Sequence, residues 1–236
     1  MPLEHLLGAI TEATALVAVS HVRSNDGRTV DLAELSRITR AAAVPVLVDL
    51  THSAGVMDVD LTALGFEFAV CAAYKHLLCP RGASFLVVAE EWRDRVVPRN
   101  ASWRGQADPY GASSGGDLGV LATTAARFNV SLDWFAWVGA RESLTFLSGI
   151  PSSARQAHCV GLATELATSL GITPTGSSIV TVPHTRTPDD ARAWLDRSSV
   201  RVLVREDDIR LSFHLYNTRE HAAHAAEVLA GLRESG

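Results

Sequence analysis

Three side chains in the first third of the chain are of types that do chemistry, and their spacing can bring them to one place. Asp49 lies in the run Val48-Asp-Leu-Thr-His-Ser-Ala-Gly55, His52 follows one turn later, and Lys75 comes twenty-six positions after Asp49 in Ala73-Tyr-Lys-His76. Each of Asp49 and Lys75 closes an apolar run, so both fall at the carboxyl end of a strand, the edge of an open α/β sheet where ligands bind. A lysine amine in a partly desolvated, cation-rich crevice can add to a carbonyl and then move protons. Lys75 is the sole lysine of the 236 residues, so no other side-chain amine competes for that task. Taken singly, Asp49 would read as a helix cap and Lys75 as a solvated loop charge. The pair at this spacing favours a site.

Delivering both groups to one crevice requires strands that run the same way. Short apolar runs at 15–20, 44–49, 66–72 and 83–88 have the character of buried strands. An amphipathic stretch from Pro2 to Ile10 precedes the first, and residues 31–42 carry apolar side chains at helical spacing behind an Asp31 cap. Strands alternating with helices predict an α/β fold with a mostly parallel sheet covered on both faces. Residues 98–119, rich in Gly, Ser, Asp and Pro, predict a long loop over a site or interface. Helices are expected over 131–150 and 151–170, and the Gly149–Pro151 break divides the chain into a large unit, 1–150, and a small α+β unit, 151–236. In the small unit the order predicted is helix, strand (178–183), helix (188–196), strands at 200–204 and 209–213, and a last helix from Thr218.

Composition narrows the classes of partner. A net charge of −5 with scattered basic residues leaves no electrostatic footprint for nucleic acid or an anionic membrane. No apolar run is long enough to span a bilayer, and the start has no basic-then-hydrophobic leader pattern, so a cytoplasmic location is expected. Cys71, Cys79 and Cys159 form no CxxC pair, and His221 and His224 lie three apart without further ligands, so no metal site is expected.

The segments LVAVSHVRSNDG, VLVDLTHSAG, AAYKHLLCPRGASFLVV and IRLSFHLYNTREH together resemble the class V aminotransferase superfamily of fold type I pyridoxal 5'-phosphate (PLP) enzymes, which includes cysteine desulfurases, selenocysteine lyases and kynureninases. The resemblance implies that Lys75 binds the cofactor covalently and that Asp49 keeps its ring nitrogen protonated, the condition for an electron sink. It further implies that His52 lies near the phenolic oxygen and that Tyr74 contacts the phosphate. Ser24 stands where many relatives have an Asn that reaches the same phenolic oxygen. Arg210 matches the arginine that grips the substrate carboxylate with its two-pronged guanidinium. Trp103, Arg104, Arg127 and Ser131 fall where relatives line the entrance or reach a neighbouring subunit's cofactor phosphate, Ser131 being the better phosphate candidate and Trp103 a substrate contact. The segment 198–208, where desulfurases carry their persulfide cysteine, contains none.

Relatives of this type begin well before the segment that matches residues 1–20, and that portion holds a Gly-rich phosphate loop and the ring that stacks on PLP. The large domain is therefore expected to be N-terminally truncated, with exposed apolar faces or edges that call for a homo-oligomer, such as a dimer, or a complementary N-terminal chain. The function expected is a PLP enzyme acting on an amino acid, with a lyase reaction (C–S or C–C cleavage, β-elimination) ranked ahead of transamination. The alternative is a non-catalytic or half-site subunit that needs a partner chain.

Overall fold

The computed structural model describes residues 3–111 and 119–234; Pro2 of the first amphipathic stretch and residues 112–118 of the expected long loop lie outside the described residues. The chain opens with α1 (Leu3–Gly8), β1 (Val17–Ser20), α2 (Leu32–Ala41), β2 (Val46–Asp49), α3 (Leu61–Leu64), β3 (Phe68–Ala72), β4 (Ser84–Val88) and α4 (Glu90–Arg93). Asp31 caps α2 by accepting from the Glu34 amide, and the buried Leu32 and Leu35 turn toward the sheet core with Val17, Val46 and Val48. β1, β2 and β3 pair in parallel, and β4 returns antiparallel to β3, giving the order β1-β2-β3-β4. The mostly parallel sheet is thus observed, with its one reversed strand made by the short Lys75-containing connection, too brief for a parallel crossover.

Two 3-10 turns, Trp103–Gly105 and Ala125–Phe128, follow and pack together through the Gln106–Leu121 bridge. α5 (Trp134–Ser148) starts three residues later than its expected beginning at Ser131, because Asp133 is the cap, its carboxylate accepting from the Ala136 amide. Ser131 therefore stands outside that helix. Buried Ala140 of α5 packs with Ala73, Cys79 and Ala83, and Trp137 meets Phe85 edge-on at 5.5 Å, so α5 braces the connection that carries Lys75.

The second sheet belongs to α6 (Ser152–Ser169), β5 (Ile179–Pro183), α7 (Pro188–Arg197), β6 (Leu203–Val204), β7 (Asp208–Ser212) and α8 (Arg219–Glu234). Its strands run antiparallel in the order β5-β7-β6. Leu162, Leu166, Leu195, Ile209, Leu229 and Leu232 form its core, separate from the core of the first sheet. The proposed boundary between 1–150 and 151–236 falls between α5 and α6. Several apolar side chains face outward on the first unit: Phe135 is 91% exposed and Trp134, Val138 and Leu86 are also open. No described helix is long and apolar enough to cross a membrane.

Leu166 is 1% exposed and sits at the centre of the second core. Leu166→Ala is expected to cost about 2–5 kcal/mol, the range for truncating a fully buried leucine. Urea unfolding of both forms measures it.

Candidate functional site

The site begins at two turns that leave neighbouring parallel strands. Register places Asp49 of β2 beside Ser20 of β1 and Val70 of β3. After β2 the chain turns at once: the Thr51 amide donates to Asp49 Oδ1 (2.8 Å), and the Ser53 and Ala54 amides donate to the Leu50 carbonyl (2.9 and 2.8 Å). The Thr51 hydroxyl accepts from the Ala72 amide (3.0 Å), tying this turn to the end of β3. Beyond β3, the Cys79 amide closes on the Ala73 carbonyl and the Leu78 amide on the Lys75 carbonyl, with Leu78 at φ 57°. That left-handed backbone is unfavourable for a leucine. Ser143 of α5 holds it by donating to the Leu78 carbonyl (2.8 Å).

These turns meet at Lys75 and His52, whose Nζ and Nε2 are 2.7 Å apart. An ammonium can only donate, so a protonated Lys75 makes Nε2 the acceptor and leaves the His52 proton on Nδ1. His52 is buried, and that Nδ1 has no hydrogen-bond partner among the described residues. Burial first, then the charges of Lys75 and Arg210, hold the His52 pKa down to about 4 against the opposing pull of Asp49. Both are forms of the same statement: the imidazole stays neutral beside the amine.

A cavity of about 410 Å³ opens over this contact, lined by Ser24, His52, Tyr74, Lys75 and Arg210 together with His76, Ser212, His214 and Tyr216. Five sequence-derived candidates thus share one wall system. Asp49 and Ser131 line a different groove, with Thr51, Cys71, Gly82 and Asp133, so Asp49 is not among the residues of the cavity over Lys75 to which its spacing was expected to bring it. Trp103 is among the lining residues of neither; its ring is covered by the Arg104 guanidinium at 4.5 Å and lies 5.7 Å from Tyr110. Arg127 is paired with Asp94. Tyr74 is partly exposed, with Arg81 stacked over its ring at 4.2 Å. Arg210 is half-buried on β7, its Nε is without a partner among the described residues, and burial followed by the charge of Arg205 lowers its pKa. Among the described residues no carboxylate lines the cavity, and the two formal charges there, Lys75 and Arg210, are both positive.

Sequence reasoning singled out Arg210 on this last stretch and passed over Ser212, His214 and Tyr216. Strand periodicity was the available signal for Ser212 alone: Ile209, Leu211 and Phe213 are buried in the second core, so Arg210 and Ser212 between them face the other way, whereas His214 and Tyr216 lie beyond the end of the strand, where no such pattern holds. His76 offered no such signal, since it lies in a turn.

A model of the class V aminotransferase family matches residues 1–189. An uncharacterized aminotransferase of Bacillus subtilis is 30% identical over 98% of this chain and 63% of its own length. A kynureninase of Deinococcus radiodurans is 34% identical over 46% of this chain and 27% of its own length. Among solved structures, a cysteine desulfurase from Thermococcus onnurineus aligns with TM-score 0.80 at 22% identity, over 99% of this chain and 63% of that one. The chain therefore spans somewhat less than two thirds of the length of the Bacillus subtilis aminotransferase and of the Thermococcus onnurineus desulfurase.

Buried histidines give the fold an acid sensitivity. Burial lowers His21 and His52 to about 4 and His76 to about 3, whereas an unfolded chain has histidines near 6.5. Below that value the unfolded state takes up the protons first, so stability is full above about pH 6.5 and falls as pH drops toward the folded values, by at most roughly 1.4 kcal/mol per pH unit for each histidine. Urea midpoints at pH 7 and pH 5 should show the loss, and His76→Gln should reduce it.

Proposed function

Because the chain belongs to the class V aminotransferase family, we propose that it works as a PLP enzyme on an amino acid, with Lys75 as the residue that holds the cofactor. The observation that carries this reading is the side-chain amine of the only lysine, lying 2.7 Å from a buried histidine in a cavity shared with Arg210. The side chains suit that cofactor, an anionic aldehyde with a basic ring nitrogen. The cavity supplies the Lys75 amine and the Arg210 guanidinium with no competing carboxylate among the described residues. The buried, unpartnered Nδ1 of His52 and Nε of Arg210 are donors of the kind that a bound ligand satisfies.

When bound, PLP supplies an electron sink for charge left on the substrate carbons. Lys75 would attach it and later move a proton at the substrate α-carbon. His52, held neutral, accepts from the amine and offers its Nδ1–H to an acceptor. Asp49, at the end of β2 with one oxygen held by the Thr51 amide, is the carboxylate assigned to the ring nitrogen. Tyr74, Ser24 and Ser131 are assigned to the cofactor's oxygens, and Arg210 to the substrate carboxylate. Trp103 is not assigned here, given its separate location. We rank a lyase reaction ahead of transamination, with desulfuration set aside because residues 198–208 contain no cysteine. A second reading, a half-site subunit completed by another copy or by a complementary chain, is favoured by the outward-facing Trp134, Phe135 and Leu86.

Adding PLP to the full chain should produce a visible absorption band that Lys75→Ala abolishes; no band, or the same band in the variant, rejects the assignment. Breakdown of a single amino acid without an added 2-oxo acid, giving ammonia and a 2-oxo acid for β-elimination or C–S cleavage and a smaller amino acid for C–C cleavage, separates a lyase from amino transfer to an added 2-oxo acid. Turnover by this chain alone would dispose of the subunit reading. Arg210→Lys should keep the band and lower kcat/KM by roughly 1–3 kcal/mol, because lysine retains charge but not the two-pronged geometry.

A further inference from the structure

His76, directly after Lys75, has its backbone carbonyl held from two sides. On one side Gly55 approaches so closely that a Cβ there would stand 2.3 Å from the carbonyl oxygen, at a glycine with φ +99°. On the other side the His214 Nε2 lies 3.0 Å away, from a residue 138 positions along the chain. The direction of that hydrogen bond is fixed by the ring's other nitrogen: Nδ1 accepts from the Leu215 amide at 2.7 Å, so the proton must be on Nε2, and Nε2 donates. The ring is also fixed in place. Its own amide donates to Asn217 Oδ1 (2.8 Å), His76 stacks on it at 5.4 Å, and Tyr216 stacks at 5.1 Å with an interplanar angle of 4°. His214 is 4% exposed and stands four residues beyond Arg210 on the same chain segment.

We propose that His214 is a positioning residue: its single hydrogen bond to the His76 carbonyl locks the turn that carries Lys75 against the segment that carries Arg210, and so sets where the amine stands. The importance of that amine rests on the reading of Lys75 given above, but the lock itself is a property of the cofactor-free chain. The absence of a side chain at Gly55 leaves the room that the His76 carbonyl occupies, and the same 52–55 turn presents His52 to Lys75. A shift of the turn would therefore move Lys75 off His52.

The sole lysine makes this measurable without cofactor or substrate. The full chain is treated with acetic anhydride across pH 7 to 10, and acetylation of Lys75 is followed by peptide mass spectrometry. His214→Phe keeps a flat ring for stacking but has no donor, whereas His214→Gln brings an amide N–H near the position of Nε2. Expected is a rise in the Lys75 acetylation rate of roughly two- to tenfold in His214→Phe, which loses both the Nε2 donor and the Nδ1 acceptor of the Leu215 amide, with a rate near the parent's in His214→Gln, which restores the donor. Rates unchanged in both variants, or raised equally in both, would overturn the proposal. If His214→Phe does not fold, His214→Met, also without a donor, takes its place in the same comparison. The two readings fail separately: absence of a PLP band in the parent chain rejects the cofactor assignment while leaving the acetylation contrast to stand or fall alone.

Discussion

Lys75 and His52 can touch only if two separate strand-to-turn exits lie side by side, and parallel pairing of β2 with β3 brings this about. In a parallel pair both strands deliver their next residues to the same sheet edge. The register that sets Asp49 opposite Val70 leaves the 50–55 turn directly beside the 73–79 turn, and the Thr51 hydroxyl fastens one to the other at Ala72. Gly55 is then required, because any side chain at that position would occupy the space of the His76 carbonyl. Slip β2 by one residue against its neighbours and its buried Val46 and Val48 would turn to the other face, so the core that buries them also guards the 2.7 Å contact.

Electrostatics follow from this close packing. The cavity gathers one amine, one guanidinium and three imidazoles, and burial keeps the imidazoles on the neutral side. If His52 or His76 were charged, a third positive centre would sit beside Lys75 and Arg210 in a poorly solvated space, at substantial cost. Neutral rings can instead accept a hydrogen bond from one partner and donate to another. His214 does this with Leu215 and His76, and His52 accepts from Lys75 with a donor in reserve. The site thus keeps its positive charge on two side chains and uses the histidines as directional polar groups.

Much of this was legible in residue types and spacing. The apolar runs ending at Asp49 and Ala72 announced buried strands, and the twenty-six-residue interval pointed Lys75 to the same edge as Asp49. Arg210, Ser24, His52 and Tyr74 share a cavity with Lys75 although Arg210 is 135 positions away from it. Other features depend on partners that no local pattern names. Both Ser131 and Asp133 are acceptable cap residues, and only the geometry of the chain leaving the second 3-10 turn selects Asp133. Asp49 and Ser131 face a groove other than the Lys75 cavity, Asp49 from the end of β2 and Ser131 from the chain ahead of α5. The His214 contact spans two units and could not be inferred from His76, which has no periodic neighbours in its turn.

The seam between the two sheets, each with its own core, explains why such distant residues can share a site at all. The two hydrophobic cores do not merge, and beside the stacking of His76 on His214 four of the hydrogen bonds that cross between them are alike: Ser177 Oγ donates to the Gly27 carbonyl (2.6 Å), Thr181 Oγ1 to the Asn25 carbonyl (3.2 Å), Arg155 Nε to the Gly55 carbonyl (2.8 Å) and His214 Nε2 to the His76 carbonyl (3.0 Å). Each acceptor is a backbone carbonyl in a turn of the first unit, and each donor is a side chain of the second. Directional bonds of this kind fix relative position more sharply than apolar contact, which tolerates sliding. Two of the four grip the turns that hold His52 and Lys75, one at Gly55 and one at His76. The seam therefore aligns Arg210 with Lys75 through the same backbone groups that bring Lys75 to His52, and a cavity lined by polar side chains from both units is the consequence.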